Sequence, residues 1–208
     1  MIVKGLRILV GATAVICALG GCSTSEAETE PTPTISYPPA SSSTAPSEIP
    51  IADELIAQPD NPYPFPLPIP GEHMHENTQQ GAEEFAYYYI EQLGYFNNMN
   101  DISIMEPLTH EDCTRCWQTY SDVQEQYAEG AWAANLQYVP VKVWDYTRDE
   151  ETGDIVIIVL VINDEWLSYS KEDSEPVTMP ARRAFFQVNV EWNGQWLAKA
   201  TYAKIEEK

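Results

Sequence analysis

The apolar residues of this chain change period once, near Gly130, and that change limits the fold more than any other feature. Before it they recur every three or four residues. Ala82, Phe85, Ala86, Tyr89, Leu93 and Phe96 make one stripe; Cys113, Cys116, Trp117, Tyr120, Val123 and Tyr127 make a second. Such spacing puts each set on one face of a helix. Asn77 with Gln80 three residues on has the form of a capping box, so the first helix is expected over about 78–97. Asp101 can cap a short turn through Met105, which Pro107 stops. Thr109-His-Glu-Asp112 is a start signal for the second helix, and Gly130 is its expected end.

After Gly130 the period falls to two. Tyr138–Tyr146 alternates, which places Val139, Val141 and Val143 together on one face. Ile155–Ile162 is apolar throughout, as in a central strand covered on both sides. Arg183–Trp192 alternates through Phe186, Val188 and Val190. Asn193-Gly194 signals a two-residue hairpin turn into Trp196, Ala198, Ala200 and Tyr202. Helices followed by a meander of strands give an α+β domain. We expect two or three helices packed on one face of a curved antiparallel sheet of four or more strands.

No such period exists upstream. Ser23 to about Pro70 is rich in Ser, Thr, Pro, Ala and Glu and has no apolar face, so it reads as a disordered tether. Fully extended, it would reach on the order of 150 Å. Pro62-Tyr-Pro-Phe-Pro-Leu-Pro-Ile-Pro70 sets proline at alternate positions, a stiff extended segment. Its Tyr63, Phe65, Leu67 and Ile69 are apolar enough to suggest partial docking on the domain. The expected layout is 1–21, 22–72 and 73–208, with the last as the folded part.

The segment 1–21 has the build of a secretory signal. Lys4 and Arg7 precede an apolar run from Ile8 to Gly20 that is too short to span a bilayer comfortably. The run ends Leu19-Gly20-Gly21-Cys22, which resembles the lipobox of bacterial lipoproteins. That resemblance implies diacylglycerol on the Cys22 thiol and a protein held on the outer face of the cell membrane. Lipid is then the expected membrane contact.

With 32 Asp+Glu against 11 Lys+Arg, the chain carries a formal charge of −21. Such a surface repels nucleic acid, whose binding needs cationic side chains at phosphates. Strong charge of one sign also keeps an exported protein dispersed. The acidic stretches Asp149–Asp154 and Glu172–Glu175 lack the ligand spacing of a calcium loop.

Several motifs together resemble a family. They are Gly81-Ala-Glu-Glu-Phe-Ala-Tyr-Tyr-Tyr-Ile90, Leu93-Gly-Tyr95, Asn100-Asp101, Leu108, Cys113-x-x-Cys116, Tyr127, Gly130 and Gly194-x-Trp196. Over about 65–205 the chain is similar to an uncharacterised family of actinobacterial secreted lipoproteins. In element order it also resembles the nuclear-transport-factor-two-like, or cystatin-like, cone. The resemblance implies a fold with a pocket between helices and sheet, and a location; it supplies no catalytic residues. Gly94 departs from the pattern and is expected to loosen the end of the first helix.

Of the four cysteines, Cys17 would leave with the signal and Cys22 would be acylated. Cys113 and Cys116 remain, and in an oxidising compartment a disulfide is the default. A thiol–disulfide site at a helix start is the competing reading, opposed by Glu111 and Asp112. A zinc site joining His110 to these cysteines and to His73 or His75 is another, with the wrong spacing for a known finger. No histidine falls on an expected strand. The strand acids Asp145 and Glu191 lie near strand ends, where exposure is expected, and neither reads as a general base. Tyr88, Trp117, Trp144 and Trp166 are candidate pocket-lining residues, apolar with polar tips; Trp144, Trp166 and Trp132 are those expected to reach the open side of the sheet. No cofactor, no metal and no catalytic residue is indicated. The expected activity is that of a non-enzymatic module binding a small apolar ligand or an envelope protein. The alternatives are a pocket enzyme of isomerase, dehydratase or cyclase type, and a redox or metal site at Cys113 and Cys116.

Overall fold

The computed structural model describes residues 56–173 and 175–206. The expected signal segment, Cys22 and most of the tether lie outside them. The described chain is α+β: two α-helices and two short 3-10 turns, then seven strands in two antiparallel sheets.

Helix α1 is Gln79–Met99. Thr78, not Asn77, caps it, its hydroxyl accepting from the Gly81 amide at 3.0 Å. The helix ends where Asn100 turns left-handed, with φ 52°. It therefore runs straight through Gly94, contrary to the expected loosening. The glycine is there for clearance: a Cβ would lie 3.1 Å from the Tyr138 amide nitrogen and 3.2 Å from the Leu136 carbonyl oxygen. Asn98, fully buried, clamps the same crossing strand. Its amide donates to the Gly94 and Leu136 carbonyls, and its carbonyl accepts from the Leu136 N–H.

Asp101 caps a turn as expected, accepting from Ser103 N at 3.1 Å. Helix α2 is Thr114–Ala128, with Cys113 at its cap position, four residues beyond the expected Thr109. Thr109 is instead drawn into the core, where it bridges to Ala198 beside the sheet. Pairing an edge strand outweighs capping a helix at that position. The two sulfurs of Cys113 and Cys116 are bonded across the first turn, with Cα atoms 5.3 Å apart.

The larger sheet has the order β2-β3-β6-β7, from Val139–Arg148, Ile155–Asn163, Arg182–Trp192 and Trp196–Ile205. Its inner face, turned to the helices, carries Ile155, Ile157, Val159 and Val161 of β3 with Val188 and Val190 of β6, each at most 1% exposed. The outer face is not covered as expected for β3. Leu160 is buried there, but Val156 and Ile158 are half-buried and Ile162 is exposed, so the cover is partial. Strand β2 does not keep its alternation. Register shifts at Val141 and Trp144 send Val143 to the core, while Val139 pairs with Ile162 and stays exposed along with Val141. A bulge inserts one residue and resets which face follows it. The β6–β7 turn holds three residues, Asn193–Gln195, with Gly194 at φ 106°.

A second sheet was not foreseen. β1 (Trp132–Ala134), β4 (Trp166–Tyr169) and β5 (Val177–Met179) have the order β1-β4-β5. β3 passes into β4, and β5 into β6, through short bends at 164–165 and 180–181. One long hairpin thus folds over on itself and builds both sheets.

Residues 56–63, read from sequence as tether, belong to this domain. The Trp132 indole donates to Ile56 O at 2.8 Å, the Gln58 amide to Asn98 O at 2.6 Å and Ala133 O at 2.9 Å, and Asn135 N to Pro62 O at 2.7 Å. Of the proline ladder's apolar side chains, Tyr63 is buried, edge-on to Tyr95 at 5.1 Å, and Phe65 is half-buried. Leu67 and Ile69 point to solvent, 62% and 79% exposed.

Candidate functional site

The helices cover only part of the inner face of the larger sheet. Part of the space is filled by Phe85, Tyr89 and Phe96 of α1 and Tyr120 of α2, all at most 1% exposed, with Tyr120 also at the start of the open part. Their polar tips are satisfied by one another. The Tyr89 and Tyr120 hydroxyls lie 2.6 Å apart, and Tyr120 lies 3.0 Å from the Thr109 hydroxyl, which donates to Met105 O at 2.8 Å. Burial pushes both phenols up from their ordinary range. An apolar space closed with paired hydroxyls is a core.

Beyond Phe186 the cover runs out and a groove begins. Its first section, about 320 Å³, lies between Asn97, Arg115 and Thr119 of the helices and Tyr138, Phe186 and Ala203 of the strands. Its middle section, about 170 Å³, shares Tyr138, Phe186 and Ala203 and is walled by Leu136, Trp166 and Met179. Its mouth, about 850 Å³, shares Asn163, Arg182 and Ile205 and opens at the bend among Pro180, Ala181 and Arg183. The floor is made of inner-face positions: Ala184 and Ile205 are register partners, as are Phe186 and Ala203. The small sheet supplies the opposite wall.

The first two sections contain no Asp or Glu. Their charged residues are Arg115, whose guanidinium sits 4.9 Å over the Tyr202 ring, and Arg182. At the mouth Arg183 pairs with Glu206 at 3.3 Å, near Asp164. Tyr138 faces the first and middle sections. Burial pushes its phenol up to about 12, and its hydroxyl has no hydrogen-bond partner among the described residues.

A second polar cluster flanks β7. His110 Nε2 lies 3.1 Å from one Glu191 oxygen, and the Lys199 ammonium 2.8 Å from the other and 3.1 Å from Asp154. Glu191 is therefore a half-buried hub, not the exposed strand-end acid expected. His110 Nδ1 accepts the Asp112 N–H at 3.1 Å, so Nε2 carries the proton that Glu191 receives. Glu191 and Asp154 hold Lys199 above the usual lysine range. Every group here is spent on a neighbour, which is the pattern of a structural clamp. Asp145 is exposed and accepts from the Tyr146 amide.

The four candidate pocket residues are not brought together. Trp166 walls the groove. Tyr88 is half-buried against the core. Trp117 is half-buried too, its indole donating to His110 O at 3.1 Å and its ring edge-on to Tyr120. Trp144 stands on the outer face, 58% exposed, against Phe185 with Lys142 above it. Trp132 stacks on Tyr169 at 5.5 Å in the small sheet. His73 is near the surface, held up from the ordinary histidine range by Glu76 at 3.1 Å. Sequence reasoning missed Tyr138, Arg182 and Arg115. The available signal was an arginine on an inner-face position of a strand in a chain so rich in acids.

A family model described as a family of unknown function, DUF6318, matches residues 59–202, and the chain belongs to that family. No curated protein matches. Among solved structures the fold is similar to the intermembrane space region of the chloroplast protein ARC6. That likeness covers 62% of this chain and 98% of the other at 12% identity, with a TM-score of 0.50. At such identity it speaks to the fold alone.

Proposed function

We propose that this member of a family of unknown function is a lipid-anchored protein of a bacterial cell envelope, held by diacylglycerol on Cys22. Its folded domain is a non-enzymatic binding module, and the groove over Phe186 and Ala203 is its site. The observation that carries the reading is the split inner face: one end packed and hydroxyl-paired, the other open, apolar and walled by a separate sheet. Ligand sites favour such concave, mostly apolar places with a few convergent polar groups. The polar groups along the groove are Arg115 in the first section, Asn163 and Arg182 in the middle one, and Tyr138 in both. They can hold and orient a ligand. No imidazole or carboxylate lines the first two sections to move a proton, which ranks binding above turnover. The address is supported by Lys4, Arg7, the apolar run and Leu19-Gly20-Gly21-Cys22.

Two experiments on intact cells test the two halves. Cys22→Ser should release the protein or leave an unprocessed precursor; normally acylated protein from that variant would refute the anchor. A photo-crosslinking amino acid at Ile205, in the groove, should give an adduct that the same group at Trp144, on the outer face, does not. An adduct from Trp144 alone, or none from Ile205, would refute the groove as the site.

A further inference from the structure

We infer that the groove takes an elongated apolar molecule bearing one anionic group, and that Arg182 meets that group. The inference rests on the groove being the binding site of the domain. Charge carries the first step. The chain has 32 acids to 11 bases, yet the first and middle sections of the groove hold no acid and two arginines; the acids of the groove, Asp164 and Glu206, stand at its mouth, where Glu206 is paired with Arg183. An apolar space cleared of carboxylates on so acidic a chain is complementary to an anion. A ligand without an anionic group would leave the arginines unused, and a cationic one would be refused by them.

The floor decides between a small amphiphile and a peptide. It is the face of a paired sheet, so the amides and carbonyls of β3 and β6, and those of β7 that face β6, are already committed to the ladder. The middle section adds the polar side chains Tyr138, Asn163 and Arg182 against an otherwise apolar lining. A peptide laid there would bury an amide and a carbonyl at each residue with few partners, which is costly. An alkyl chain buries nothing that needs one. The middle section, at about 170 Å³ the smallest of the three, has room for a chain more readily than for a bulky ring system.

Position assigns the arginine. Arg183 is already paired with Glu206, and Arg115 lies over the Tyr202 ring. Arg182 makes no ion pair among the described residues and borders both the middle section and the mouth. Its guanidinium can meet a carboxylate or a phosphate through two parallel N–H donors. Tyr138 lines the same section, and its phenol can donate to a second oxygen of the ligand.

The test is a fluorescence titration of the full chain carrying Cys22→Ser, so that no acyl group of its own competes. The probes are dansyl-labelled undecanoic acid, its methyl ester and a dansyl-labelled acidic peptide. The acid should bind saturably with blue-shifted emission, more tightly than ester or peptide. Arg182→Gln should weaken the acid by about tenfold, the loss of one charge-assisted contact, and leave the ester unchanged. Ala203→Trp, which fills the middle section, should abolish binding of both; an unchanged near-ultraviolet dichroism spectrum checks its fold, and Ala184→Trp serves if that spectrum is lost. Equal affinity for acid and ester, a loss of both in Arg182→Gln, tighter binding of the peptide, or no saturable binding would each overturn the inference. Photo-adducts from Ile205 despite such a result would leave the groove standing as a site for another class of ligand.

Discussion

The two ends of the inner sheet face are built from the same strands by the same alternation, and they do opposite things. Near the β6–β7 turn, Val188 and Val190 lie fully buried in one cluster with Phe85, Tyr89 and Phe96. Further along, Ala184 and Phe186 of the same strand look out over a groove. The difference lies in what stands opposite. The strands run on past the helices, and the small sheet folds back over their far end without closing against it. The filled end therefore carries stability and the open end is free to carry recognition.

That division can be broken by experiment. The largest effect should come from Phe96→Ala, which removes a fully buried ring between the helices and should cost about 3–5 kcal/mol in urea unfolding. A loss below about 1 kcal/mol would mean that the filled end is not the stabilising one. Replacing both Cys113 and Cys116 by Ala should cost about 2 kcal/mol or less, because so short a ring constrains the unfolded chain little.

Alkaline pH sharpens the comparison through tyrosine. Burial raises Tyr89 and Tyr120 at the filled end and pushes Tyr138, at the boundary, to about 12. A phenol raised in the folded state contributes stability that is intact below the unfolded value near 10. That stability is lost as the pH climbs towards the folded value. The thermal midpoint should hold steady up to about pH 10 and fall between there and about 12. Phenolate absorbance of these three should then appear together with unfolding; early ionisation of all tyrosines near pH 10 without unfolding would contradict their burial.

Smaller effects follow at the junction. Gly94→Ala gains helix propensity but drives a methyl against the backbone at Leu136 and Tyr138, so a net loss of about 1 kcal/mol is expected. A stabilised variant would show that the crossing strand yields. Tyr138→Phe should be smallest, within about 0.5 kcal/mol of zero, since its hydroxyl has no partner to lose. A clear destabilisation would make Tyr138 part of the core and narrow the groove.

The helices and the long strands were legible because each spans several periods. Phe85 to Phe96 repeats often enough to fix a face, and so does Phe186 to Val190. β1, β4 and β5 were not legible because three or four residues cannot display a period of two against its neighbours. The bulges at Val141 and Trp144 were hidden for a related reason: each shifts the register by one, and an apolar residue reads the same on either face. The site was the least legible part. Phe186 and Val188 look alike in sequence, and only the place where the helices stop makes one a groove floor and the other core. Gly94 was misread because its reason is a strand some forty residues away.

The docked segment 56–63 has a mechanical consequence. Among the described residues, a pull on the chain from its amino-terminal side meets Ile56 first, held by the Trp132 indole, then Gln58, then Pro62 and Tyr63. These holds lie in series along the chain, so a load breaks them one after another. The sheets and helices feel it only after the last has gone. Each residue that peels away lengthens the leash by up to about 3.5 Å. The segment thus behaves as a fuse, giving slack before the groove is deformed.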